Sequence, residues 1–368
     1  MPNENGKICL FFLTFAHKKM ILHIFNPEHD LALASNLSNF TAPHAGRQLR
    51  GDLGYLPALW AKEDDYVLVE NVEQAKKAYG RLRAKIGGGK RQFVDKNQLS
   101  HLPIDAVEPW GWDLALCAFL LRHGVSCVPS EDEVSEIREY SHRKYAVQLL
   151  TELRQSMSDD IQIPAICLKQ DEVCQMLEKY HQIVVKAPWS SSGRGVRFID
   201  GEISSYHDGW IRNVVKHQGS VIVEPYYHKV KDFGMEFHCD GKGNVAYLGL
   251  SLFHTKNGAY TGNIIASEEE KQKMLSHYVS VDLLSRFRDK LRESFARLCG
   301  CKYRGPFGVD MMIISTENRN GFLLHPCVEI NLRRTMGHVA LSIPPFADGF
   351  PRVMQITLTD KYRLKIHK

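Results

Sequence analysis

No run in the chain reaches the roughly 18 apolar residues that a membrane-spanning helix needs. The most apolar early stretch, Ile8–Ala16, is nine residues long with Lys7 ahead of it. That is short for a secretory signal, and Met20–Phe25 straight afterwards reads as a first strand, so Met1–Lys19 is read as an extension, an upstream start codon being one origin. Cysteines at Cys-x-x-Cys spacing are also missing. Nine are present, an odd number, and the nearest two are Cys299 and Cys301. This argues against a structural zinc site or a disulfide framework and points to a reducing, cytoplasmic setting. Charge of one sign is lacking too: the net value is +5 over 368 residues and is spread along the chain. A nucleic-acid binder would concentrate a basic face, so neither nucleic acid nor a membrane is an expected partner, whereas an anionic small molecule is. Internal repeats and low-complexity tracts are absent. What remains is an ordinary globular composition, 44% hydrophobic and 24% charged. The length is large for a single core and suggests two or three units.

The chain is organised around Ile183-Val184-Val185-Lys186, followed by Ala187-Pro188-Trp189 and the small-residue stretch Ser190-Ser191-Ser192-Gly193-Arg194-Gly195. The β-branched run reads as a buried strand that ends in a lysine. In the loop few side chains stand in the way, so successive backbone N–H groups can turn inward around an anion. Lys186 adds a point charge suited to phosphate. The plain alternative is a strand and surface hairpin that happens to contain a lysine.

Ahead of this stretch, residues 20–128 alternate short strands and helices as a parallel α/β unit does. Expected strands are Leu22–Phe25, Asp65–Glu70 and Val125–Val128; expected helices are Val72–Ala84 and Trp112–His123. Glu28, His29 and Asp30 follow the first strand, where such folds place ligands. A helix N-terminus with acidic first-turn residues explains them equally well. Ser130 and Glu133 have capping-box spacing at the start of the next helix. A second helix covers about Ser141–Gln155, a strand Ala165–Leu168 and a helix Asp171–Tyr180, so residues 129–215 form a small α+β unit.

Beyond it, Val221–Tyr227 is an apolar strand ending in Glu224-Pro225-Tyr226-Tyr227, where the proline breaks the edge and exposes backbone groups able to read an adenine. Lys231–His238 alternates as a half-buried strand and pairs with Val245–Phe253 through the Asp240–Asn244 turn. The polar segment Phe253–Tyr260 reads as a substrate loop or a plain connection. Gly305–Ile314 and Cys327–Arg334 are strands, and Glu329, Asn331 and Arg333 alternate onto one face of the second. A hairpin over about Ser315–Gly321 brings Asp310 beside Glu329 and Asn331. Two carboxylates and an amide oxygen are hard ligands that suit magnesium held jointly with nucleotide phosphates.

In this order, the lysine with its Gly-rich loop, the strand-Glu-Pro-Tyr, the strand with Glu236, the Gly-Val-Asp and the Glu-Ile-Asn-Leu-Arg resemble the ATP-grasp superfamily over about Ser130–Arg334. The resemblance implies an α/β N-terminal unit followed by a two-lobed α+β ATP-grasp fold with antiparallel sheets, the small lobe over residues 129–215 and the C-terminal lobe over 216–368. It also implies ATP, with magnesium or manganese. Lys144 and Lys186 resemble the two phosphate-binding lysines, Ser190–Gly195 the mobile phosphate loop, and Glu224–Tyr227 the adenine and ribose hinge. Glu236 resembles the acidic residue of the following strand, Asp310, Glu329 and Asn331 the metal ligands, and Arg333 an arginine on transferred phosphate or substrate. The activity implied is ADP-forming: a carboxylate is activated as an acyl phosphate and attacked by an amine or thiol. Kinase or carboxylase-type phosphoryl transfer, or a non-catalytic nucleotide-binding module, are the alternatives. Candidates to line the substrate site are His29, Arg47, His254, Lys256 and Arg334. The expected partners are small molecules, with a homodimer left open.

Overall fold

The computed structural model describes residues 19–190, 195–256, 259–298, 300, 302–316 and 321–368; the remaining stretches, including Ser191–Arg194 of the expected phosphate loop and the extension up to residue 18, lie outside the described residues.

The first unit holds β1 (Ile21–Ile24), α1 (His29–Ser35), α2 (His44–Leu53), β2 (Tyr66–Leu68), α3 (Val72–Ile86), β3 (Gln92–Val94), β4 (Ala106–Pro109) and α4 (Leu114–Arg122). Its sheet has the order β3-β2-β1-β4 with every pair parallel. The order reverses between β1 and β4, so a crevice opens past the carboxyl ends of those two strands. The helix expected at Trp112–His123 begins two residues later, at Leu114, because Asp113 caps α4 by accepting from the Leu116 N–H. Val125–Val128 is not a strand. Its Val125 N–H bonds Leu120 O and its Val128 N–H bonds Ser126 O, which folds the segment on itself; β4, which the sequence reading missed, takes the place beside β1.

The second unit comprises α5 (Glu131–Tyr140), α6 (Lys144–Leu153), β5 (Ala165–Cys167), α7 (Gln170–Tyr180), β6 (Gln182–Lys186), β7 (Val196–Asp200), α8 (Ser205–Gln218) and β8 (Val221–Pro225). The Ser130–Glu133 capping box forms as its spacing requires. The strands make an antiparallel sheet ordered β5-β8-β6-β7. One face buries Ile183, Val185, Val221 and Val223 against α7 and α8. The other, carrying Lys186 and Glu224, is turned to the cleft. Because β8 pairs with β5 and β6, this sheet ends at Pro225; the boundary expected at residue 215 falls inside α8.

The third unit contains β9 (Lys229–Asp240), β10 (Val245–Lys256), β11 (Ala259–Ile265), α9 (Glu268–Leu275), α10 (Val281–Leu298), β12 (Arg304–Thr316), β13 (Gly321–Asn331), α11 (Met336–Leu341), β14 (Arg352–Leu358) and β15 (Tyr362–His367). They give an antiparallel sheet ordered β13-β12-β9-β10-β11-β14-β15. Its core stacks Phe237 on Phe307 at 5.1 Å and sets Phe295 of α10 at 4.4 Å from the same ring. Fully buried aromatics of this kind cost about 3–5 kcal/mol each to truncate, so this lobe supplies a rigid base for the β12–β13 hairpin. The substrate loop expected over Phe253–Tyr260 is instead mostly strand: β10 runs through Lys256 and β11 resumes at Ala259. No helix among the described residues is long and apolar enough to cross a membrane.

Candidate active site

The register of the β12–β13 hairpin builds the acidic side of the site. Asp310 is paired with Glu329, and Gly308 with Asn331, so all three candidate metal ligands stand together. The Asn331 amide donates to Asp310 Oδ2 at 3.1 Å. Burial, then the neighbouring Glu329 and Glu236 charges, push the Asp310 carboxyl up to about 8. Like charges so placed favour either a proton or a cation between them. Among the described residues no three His, Cys, Asp or Glu side chains group as a metal site; the set is two carboxylates and one amide, which fits magnesium shared with phosphates better than a closed protein cage.

The opposite wall is β6 and β8. Lys186 Nζ lies 2.5 Å from Glu224 Oε1, and both side chains are buried. The loop after Lys186 is closed at its base by Ala187 N–H donating to Gly195 O at 2.8 Å. A Cβ on Gly195 would come within 2.1 Å of Ser190 Cβ, so only glycine permits this closure. Trp189 anchors the loop: its indole donates to Arg138 O at 2.9 Å and the Arg138 guanidinium covers its ring at 3.7 Å.

Arg143, which the sequence reading passed over in favour of its neighbour, joins the two walls. It is buried and donates to Ala187 O, to Ser190 Oγ at 2.9 Å and to Glu329 Oε1 at 2.7 Å. Lys144 points elsewhere and pairs with Glu139 near the surface. The signal that could have found Arg143 is its place immediately ahead of α6, where the chain turns toward the Lys186 strand.

At the hinge, the Tyr226 N–H is already used on Gln182 O at 2.9 Å, and its ring is exposed. Pro225 ends β8 in register with Ile183. The Tyr227 hydroxyl accepts from the Gln162 N–H at 2.8 Å, and its ring lies 5.6 Å from that of His325. His325 is a second residue the sequence reading missed. It is fully buried, neither ring nitrogen meets a hydrogen-bond partner among the described residues, and burial pulls its pKa down to about 4. Glu236 does not face the Lys186–Glu224 pair. Thr335 Oγ1 donates to its Oε1 at 2.8 Å and His338 Nδ1 lies 2.9 Å from its Oε2, beneath the start of α11.

The third wall comes from the first unit. Arg333 grips Asp30 with two hydrogen bonds of 2.7 and 2.8 Å. Burial opposes charge on both, but the pairing wins: the Asp30 carboxyl is held below its usual range and Arg333 above its own. Both groups thus stay ionised, tying the crevice past β1 to the strand of the acidic set. Here His29 Nδ1 lies 3.4 Å from Asp113, and Asn26 donates to Gly111 O at 2.8 Å. Glycine is required at 111, since a Cβ there would meet the His29 ring at 2.6 Å. Glu28 precedes α1 without capping it and pairs with Arg50 instead. His29, Asp30, Ser190, Glu329, Asn331 and Arg333 line one narrow cavity of about 10 Å³. Of the other substrate candidates, Arg334 stacks over Trp60 at 4.4 Å and approaches Glu108. Arg47 donates to Ala42 O, and His254 is exposed on β10 in register with Gly262. Lys256 ends the same strand. Arg47 and His254 are not joined to the acidic set by any contact among the described residues.

No protein-family model matches the chain, and no curated protein does. Solved structures do match. The biotin carboxylase domain dimer of Hydrogenobacter thermophilus 2-oxoglutarate carboxylase, in complex with MgADP, ADP and bicarbonate, is 13% identical. The match covers 92% of this chain and 74% of that one, with a TM-score of 0.52. N5-carboxyaminoimidazole synthetase from Staphylococcus aureus is 11% identical, with 93% of this chain and 83% of that one covered and a TM-score of 0.50. At such identities the likeness is one of fold. Together with a parallel α/β unit followed by two antiparallel lobes that face each other across Lys186 and Asp310, it gives the conclusion: the chain has the ATP-grasp fold.

Proposed function

We propose that the protein is an ATP- and magnesium-dependent, ADP-forming ligase that activates a carboxylate as an acyl phosphate for attack by an amine or thiol. The observation that carries this reading is the convergence on one cleft of Lys186, the base of the Gly-rich loop and the Asp310–Glu329–Asn331 set, with Arg143 linking loop and strand. Asp310, Glu329 and Asn331 would hold magnesium, which when bound offsets charge on the nucleotide's phosphates.

The chain's own groups supply the rest. Lys186 gives a fixed cation at the phosphates, while Glu224 holds its ammonium in place until nucleotide arrives. The N–H groups around Ser190 and Gly195 offer donors to the phosphoryl oxygens, and closure over them excludes water. The Lys144 role expected from the resemblance passes to Arg143, the cation that faces the cleft. The acceptor carboxylate is placed in the crevice past β1, near His29 and Arg333. Arg333 can pair with it in bidentate fashion by sharing or exchanging Asp30. Arg334, which packs from the third unit against Trp60 and Glu108 of the first, and Arg47 of the first unit would contact a longer substrate.

The test is ADP release with MgATP across a panel of amino acids, small carboxylates and bicarbonate, with hydroxylamine replacing the nucleophile. The reading expects a hydroxamate to accumulate with ADP. A stable phosphorylated alcohol would make the enzyme a kinase, and no ADP with any acceptor would leave a nucleotide-binding module.

A further inference from the structure

Away from the cleft, a cavity of about 170 Å³ opens where α3 of the first unit meets the β14–β15 hairpin. Four cationic side chains line it, Arg81 and Lys85 from α3 and Lys361 and Arg363 from the hairpin, against the single carboxylate of Asp52. Asp52 is already committed, since its Oδ2 accepts the Tyr362 N–H at 2.8 Å. Arg363 is paired outside the lining with Asp360. Arg81, Lys85 and Lys361 have no carboxylate partner among the described residues, so the lining keeps a surplus of positive charge.

Lys77, Arg81 and Lys85 follow one another at i, i+4 and i+8 on α3; like charges at that spacing repel, while Lys85 in the last turn also meets the negative end of the helix dipole. The packing of α3 does not call for them: its buried residues are Ala75, Tyr79 and Leu82, with Val72, Ala78 and Ile86 packed beside them. Between the cations the walls are apolar, formed by Ala78, Leu82, Leu364 and Ile366 with the buried ring of Tyr55. A concave apolar floor with a few convergent charges is the form of a small-molecule site. Arginine paired with lysine suits phosphate, the arginine by its planar fork and the lysine as a point charge.

We propose that this cavity, between α3 and the β14–β15 hairpin, is a second ligand site that binds a phosphate monoester with a compact apolar or aromatic body. It draws on none of the residues of the cleft, so it stands or falls independently of the ligase reading. Phenyl phosphate is the probe, titrated calorimetrically into the full chain with and without a non-hydrolysable ATP analogue and magnesium. Saturable binding is expected under both conditions, and phenol, which lacks the phosphate, should not bind. Losing one charge-assisted contact should weaken binding at least ~10-fold in Arg81→Glu and in Lys361→Glu. Lys77→Glu, on the same helix but outside the lining, is the control and should bind as the parent does. Both test positions are solvent-accessible, so unchanged melting curves will show that the variants fold. The proposal is overturned by no saturable binding at millimolar probe, equal binding of phenol, competition by the ATP analogue, undiminished binding in both Arg81→Glu and Lys361→Glu, or equal weakening by Lys77→Glu.

Discussion

His325 makes an acid-sensitivity prediction that can be worked through. It is fully buried beside the Lys186–Glu224 pair, and burial lowers its pKa from 6.5 to about 4. The unfolded chain therefore takes up this proton as pH falls below about 6.5, while the folded chain declines it until about 4. Between those limits the unfolded state binds more protons, so stability rises with pH and is lost on acidification. At pH 5 the unfolded imidazole is almost wholly protonated and the folded one mostly neutral, which amounts to roughly 2 kcal/mol of lost stability relative to pH 7.5. His325→Leu removes the titrating group and also an unsatisfied buried polar group, worth about 1–3 kcal/mol at any pH. The leucine variant should thus be more stable than the parent at pH 7.5, and the gap should widen by ~2 kcal/mol at pH 5. Thermal unfolding by circular dichroism at the two pH values measures it. A gap that stays constant with pH would refute the reasoning, because it would show that the folded imidazole titrates as the unfolded one does.

Other outcomes follow from the same geometry. Lys186→Met or Glu224→Leu alone should destabilise by about 3–5 kcal/mol, since each strands a buried charge, and the double variant should recover most of that loss; chemical denaturation of the four proteins reads the cycle. Asp310→Asn and Glu329→Gln should each lower ATP turnover by at least ~100-fold while melting near the parent temperature. Arg143→Lys keeps the charge but loses the fork that reaches Ala187, Ser190 and Glu329. It should cut turnover far more than Lys144→Ala does, a comparison made by steady-state ADP release.

Local chemistry was readable in advance. The Ser130–Glu133 capping box, the strand ending at Lys186 and the hairpin that pairs Asp310 with Glu329 all follow from spacing and alternation within one segment. What escaped depends on partners far along the chain. Arg143 looks like any helix-start cation until it is seen to reach Glu329, and Arg333 is engaged by Asp30 from the opposite end of the chain. His325 lies ahead of the strand expected from Cys327, in a run of β13 where four successive residues are buried, so alternation gives no sign that it is buried or unpartnered. Val125–Val128 has strand composition but turns on itself, while the short β4 carries a glutamate and a proline and still pairs with β1. The C-terminal hairpin of β14 and β15 was passed over altogether, although it extends the largest sheet and forms one wall of the basic cavity.

The most direct test of the ligase reading follows the oxygen atoms. With an acceptor found in the ADP-release panel, its carboxylate is labelled with ¹⁸O and turnover with MgATP is followed by phosphorus NMR. Acyl-phosphate chemistry predicts ADP together with inorganic phosphate that carries one ¹⁸O from the carboxylate. AMP with pyrophosphate, or ADP with phosphate free of the label, would contradict it.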